Sequence, residues 1–155
     1  MLTKNELKIR KIEGMDGFYE VMEDIEYYNG LIVPESFITN LASIPEAFQC
    51  IIGKPDDEVF VAPSILHDFL YSKYNDYGIN RLTADNIFFQ SLRMNGCDLV
   101  RARLMYRAVR TAGGFHWDKK IFTEEPYEKK AVVDHTIEHK EYQNRMKNLL
   151  GEFYV

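Results

Sequence analysis

Ile65, Leu66, Phe69 and Leu70 recur at helical spacing around an adjacent His67 and Asp68. This sets two ionisable side chains inside an apolar helical segment. Any fold must seat both groups beside partners or turn them to water, because burying an unpaired charge is costly. The helix is expected to begin near Pro63, a residue suited to a first helical turn. Asp68 then points roughly 100° away from His67. Tyr71, four residues after His67, shares its face. Asn75, Asp76 and Gly78 are the expected end of the segment.

Two more helices are expected close behind. Thr83 is the expected cap of the second, with Ile87, Phe88 and Leu92 as its apolar positions and Gly96 as its stop. Asp98 is the expected cap of a third helix through Val100, Leu104, Met105 and Ala108, ended by Gly113-Gly114. A last helix is expected from near Tyr127 to Leu150. Short loops make the first two helices antiparallel neighbours. With modest stagger, Asp85 in the first turn of the second helix meets the His67 ring.

The N-terminal half has a different pattern. Phe18 to Ile25 is rich in strand formers, Asn29-Gly30 signals a hairpin turn, and Leu31-Ile32-Val33 is the expected return strand, closed by Pro34. Residues 37–45 are expected to form a loop. The fold class is therefore α+β: an N-terminal β-hairpin or small antiparallel sheet, then a helical bundle. A chain of 155 residues suits a single domain, and its 46% hydrophobic and 28% charged residues suit a packed core.

Several classes are disfavoured. No apolar run approaches the ~20 residues that span a bilayer, and Met1 to Leu7 is too polar for a signal peptide. Cys50 and Cys97 lack ligand spacing and are expected to be reduced. These features point to a cytoplasm, or to a particle assembled there. A net charge of −5 argues against general nucleic-acid binding. The charge is segregated: eight acids and no Lys or Arg lie between Lys11 and Lys54, while the stretch from Lys73 to Arg110 holds seven bases and three acids. The alternatives are two solvated faces or two oppositely charged docking surfaces.

A His oriented by a carboxylate can act as general base on water, and a neighbouring carboxylate can hold a metal ion. The alternatives are structural: Asp85 favouring a helix N-terminus, His67 satisfied and half-buried, Asp68 solvated. Other candidates are weaker. His135, Glu138 and His139 match a zinc-protease pattern but lie in a strongly charged stretch. Arg103, Arg107 and Arg110 fall on one helical face that could hold phosphate or an acidic partner. Trp117 is expected against the core, with His116 beside it.

The segment His67-Asp68-Phe69-Leu70-Tyr71 resembles the HDxxY helix of phospholipase A₂-like proteins, and Thr83-Ala84-Asp85-Asn86-Ile87 resembles the second helix of that group. The resemblance implies that His67 activates water, that Asp85 orients it with Tyr71 alongside, and that Asp68 binds a divalent cation such as calcium. The Gly-rich calcium loop of the secreted enzymes is absent. A longer ordered set is similar to an uncharacterised family common in tailed phages and prophages. It comprises Tyr19 to Met22, Val33 to Phe37, Thr39 to Pro45, Leu66-His67-Asp68, Ala84-Asp85 and Met105 to Arg110, and spans about residues 17–117. Asn40 stands where that family usually carries Asp. Two functions follow as expectations. One is a phage-encoded hydrolase-like protein using His67, Asp85, Tyr71 and Asp68, with Thr39, Asn40 and Ser43 as the facing wall. The other is a non-enzymatic virion or host-interaction protein with a phage or host protein as partner.

Overall fold

The computed structural model describes residues 6–28, 30–42, 49, 52–54, 57–75 and 77–119. The elements bounded within these described residues are five short strands and three helices: β1 Ile9–Lys11, β2 Tyr19–Val21, β3 Ile25–Glu26, β4 Ile32–Val33, β5 Ile38–Thr39, α1 Glu58–Tyr71, α2 Arg81–Met94 and α3 Leu99–Lys119. The α+β expectation holds. Strand β2 is central to an antiparallel sheet in the order β1-β2-β5, while β3 and β4 form a separate hairpin with Ile25 opposite Val33.

The run from Phe18 to Ile25 is therefore two strands with different partners, broken at Met22 to Asp24. The segment expected as a loop supplies β5. Both differences arise because strand pairing here is decided by distant partners, which local β-propensity does not encode. Pro34 to Phe37 form a tight turn between the sheets, with Phe37 N–H donating to the Pro34 carbonyl. Ser36 holds the left-handed φ of 67° in it, a conformation that favours glycine.

Helix α1 is the centre of the molecule. Every residue from Phe60 to Tyr71 is buried, as expected of a helix covered on all sides. The apolar residues Val21, Leu31, Val33 and Phe37 of the strands and turns pack with Ile65, Leu66 and Leu70 of α1. Phe60 joins Phe88 and Leu92 of α2, Cys97, and Ala102 and Met105 of α3 in a second cluster. A fully buried Leu such as Leu66 or Leu70 contributes about 1.5–3 kcal/mol. The Tyr27 hydroxyl, donating to the Ala62 carbonyl at 2.7 Å, ties the hairpin to α1.

The helix boundaries need three corrections. Helix α1 starts at Glu58, so Pro63 lies inside it; burial of Phe60 to Ala62 outweighs the local preference of proline for a helix start. Helix α2 is capped by Asn80, whose side chain accepts from Thr83 N–H at 2.9 Å, so Thr83 is inside the helix. Helix α3 runs on through Gly113 and Gly114 to Lys119. These glycines permit close approach: a Cβ on Gly113 would sit 2.7 Å from the Tyr71 hydroxyl, and one on Gly114 would sit 3.1 Å from the Arg81 guanidinium. The expected Asp98 cap is present, accepting from Arg101 N–H at 3.0 Å. Cys97 is buried and free. The expected 127–150 helix, His135, Glu138, His139 and Cys50 lie outside the described residues, as does the side chain of His116.

Candidate functional site

Helices α1 and α2 pack with the stagger needed to join His67 and Asp85. The His67 Nε2 lies 2.9 Å from Asp85 Oδ1. Tyr71, one turn later on α1, donates its hydroxyl to the same oxygen at 2.5 Å. Arg110 of α3 donates to Asp85 Oδ2 at 2.5 Å, and Arg81 Nε stands 3.8 Å from that oxygen. Asp85 has no exposed surface and takes donors from α1 and α3, with Arg81 of its own helix close by. Burial alone would raise its pKa. The donors His67, Tyr71 and Arg110 outweigh burial and hold the carboxyl below its ordinary value.

The His67 ring packs against two tilted aromatic rings, Tyr71 at 4.2 Å between centroids and Phe88 at 4.5 Å. Burial between these rings lowers its pKa, and Asp85 only partly offsets this. The ring is therefore neutral at pH 7 beside an ionised carboxylate. A carboxylate can only accept, so the ring proton sits on Nε2 and points at Asp85. The lone pair is left on Nδ1, and no hydrogen bond to Nδ1 exists among the described residues. About 10% of the His67 side chain remains exposed.

Asp68 faces the other way, into the β5 end. Its Oδ2 accepts from the Thr39 hydroxyl at 2.5 Å, and the backbone N–H groups of Asn40 and Leu41 also donate to it. The Thr39 oxygen in turn accepts from Leu41 N–H at 3.0 Å. Burial raises the Asp68 pKa to about 7, against the opposing pull of these three donors. Leu41 is buried with φ of 60°, uncommon for a bulky residue, so Asp68 clamps a strained turn.

A calcium site gathers acceptor oxygens. Here one Asp68 oxygen is taken by the Thr39 hydroxyl, and the neighbouring Asn40 Oδ1 is a buried acceptor without a partner among the described residues. Among the described residues no group of three or more His, Cys, Asp or Glu is placed to hold a metal.

The structure thus joins His67, Tyr71 and Asp85 in one cluster, and Asp68, Thr39 and Asn40 in another. Ser43 lies outside the described residues. The shared face expected for Arg103, Arg107 and Arg110 is split: Arg110 turns inward to Asp85, while Arg103 and Arg107 are exposed. Sequence reasoning missed Arg81, which donates to the Tyr71 hydroxyl at 3.3 Å and to the Arg110 carbonyl at 2.6 Å. It also missed Phe88 as a wall of the His67 pocket. Trp117 meets Tyr71 edge to face at 5.2 Å, in keeping with its expected place against the core.

A family profile matches residues 19–109, more than half of the chain. The chain belongs to that family, described as protein of unknown function (DUF1353). The DUF1353 span contains His67, Asp68, Tyr71, Arg81 and Asp85, while Arg110 and Gly113 lie just past its end. No curated protein and no solved structure matches the chain. Among the described residues, no helix is long and apolar enough to cross a membrane.

Proposed function

We propose that this DUF1353 protein is a phage-encoded hydrolase-like protein in which His67 is the general base. The observation that carries the reading is the neutral His67 ring, held through Nε2 by an ionised Asp85 with Nδ1 left as the proton acceptor. Water attacking an ester carbonyl would deliver its proton to Nδ1. Asp85 would stabilise the imidazolium so formed, as a carboxylate does behind a catalytic histidine. Tyr71 and Arg110 would act as positioning residues by fixing the carboxylate. No step runs through a metal at Asp68. The phage setting, in a virion or in host cytoplasm, is supported by the ordered motifs from Tyr19 to Arg110. The ester class is supported by the likeness of the His67 helix to phospholipase A₂-like proteins.

A panel of carboxylic esters and phospholipid vesicles tests this. Wild type should hydrolyse at least one substrate, and His67→Ala should lose that turnover while remaining folded, with a lower Tm from the cavity left at a buried site. Turnover that survives in His67→Ala would overturn the reading.

A second reading is favoured by one observation: Asp85 receives donors from α1 and α3 and has Arg81 of its own helix close by. The same network then serves as a tie between helices in a non-enzymatic phage structural or host-interaction protein. This reading predicts no turnover on the panel and a large fall in Tm for His67→Ala.

A further inference from the structure

The helical half carries seven bases from Lys73 to Arg110, and most are engaged within the fold. Arg81 and Arg110 serve the Asp85 cluster, Arg93 donates to the Cys97 carbonyl, and Arg101 pairs with Asp98. Arg103 and Arg107 differ. Both are exposed, and neither guanidinium has an ion pair among the described residues. They lie on the outer face of α3 with Val100, 68% exposed, and Leu104, 37% exposed. The spacing 100, 103, 104, 107 places all four on one stripe. Arginine around exposed aliphatic residues is the composition of a contact surface more than of a solvated one.

A surface of matching character exists elsewhere on the chain. Around the start of the hairpin, Glu23 and Glu26 are exposed beside Met22, 37% exposed, and Tyr28, 51% exposed. Glu26 has no ion pair among the described residues, and Glu23 pairs only with the exposed Lys8, an exchangeable contact of little net worth. The α3 stripe thus combines two positive charges with two aliphatic side chains, and the Met22–Tyr28 segment combines three exposed acids, Glu23, Asp24 and Glu26, with Met22 and the ring of Tyr28.

We propose that these two surfaces are the halves of a head-to-tail contact between copies of this chain, the α3 stripe of one copy seating the Met22–Tyr28 segment of the next. The occupant is a second copy because the complementary partner, in charge and in apolar content, is present on the chain itself. The two patches are different surfaces, so the contact is heterologous and propagates into a ring or a filament. Attraction between such exposed charges is screened by salt. This inference is independent of either functional reading above.

Sedimentation velocity on the full chain tests it, with two charge-reversed variants, Arg103→Glu/Arg107→Glu and Glu23→Lys/Glu26→Lys. All four positions are exposed, and Tm measurements check that both variants fold. Wild type should sediment above the 18.2 kDa of one chain at low salt and return to one chain at high salt. Each variant alone should stay at one chain, since its two patches then carry like charges. Mixing the variants should restore association, because every patch again meets its opposite. A wild type that stays at one chain at every concentration and salt, or association that neither variant weakens, would overturn the proposal. So would a mixture that fails to associate.

Discussion

The Asp68 clamp makes the stability of this protein depend on pH in the opposite sense to a carboxylate, such as Asp85, whose pKa is held down in the folded state. The pKa of the group rises from 3.8 to about 7 on folding. Between those values the native state keeps a proton that the unfolded chain has released. Stability from this group is then fully present below about pH 4 and is lost as pH rises through 7. The rise from 3.8 to about 7 corresponds to about 4 kcal/mol, since each tenfold change in proton affinity is worth about 1.36 kcal/mol. Asp68→Asn removes the titration while keeping the shape. The assay is urea denaturation of wild type and Asp68→Asn at steps from pH 4 to pH 8. The Asp85 and His67 titrations occur in both proteins and cancel in the difference. Wild type should lose about 4 kcal/mol relative to the variant across that window, on top of a constant offset from the altered Thr39 hydrogen bond. A difference that does not change with pH would refute the buried, raised Asp68.

Other substitutions test the remaining contacts. Asp85→Ala leaves Arg110 and His67 without their buried acceptor and should cost about 3–5 kcal/mol in urea denaturation; a loss under about 1 kcal/mol would mean the network carries little of the helix packing. Gly113→Ala sets a Cβ 2.7 Å from the Tyr71 hydroxyl and should cost about 1–3 kcal/mol, although helix propensity alone would favour Ala by about 1 kcal/mol; a rise in Tm would refute the close approach. Ser36→Gly relieves a φ of 67°. The relief of about 1–2 kcal/mol exceeds the entropic cost of glycine, about 0.5–1 kcal/mol, so a small gain in stability is expected, and a clear loss would contradict the strained turn.

The pairing of His67 with Asp85 was legible because it depends on local facts: helical spacing on α1, a short connection, and an acid in the first turn of α2. The contact of Tyr71 with His67 follows from the same i, i+4 rule. What escaped the sequence depends on long-range geometry. Arg110 reaches Asp85 across 25 residues, and nothing in the local pattern separates it from Arg103 and Arg107, which face water. Gly113 and Gly114 read as a helix stop, since that is where such pairs usually occur; their use here, against Tyr71 and Arg81, requires the packed partner. Strand β5 was hidden because Ile38-Thr39 is too short to show alternation. The fate of Asp68 followed from that omission, since the donors that occupy it come from the end of β5.

The most direct test is nitrogen-15 NMR of the His67 ring from pH 5 to pH 8. The ring should be neutral at pH 7 with its proton on Nε2, and should titrate below the ordinary histidine value of 6.5, leaving Nδ1 as the base. A proton on Nδ1 at pH 7, or a ring still charged there, would remove the base and contradict the account.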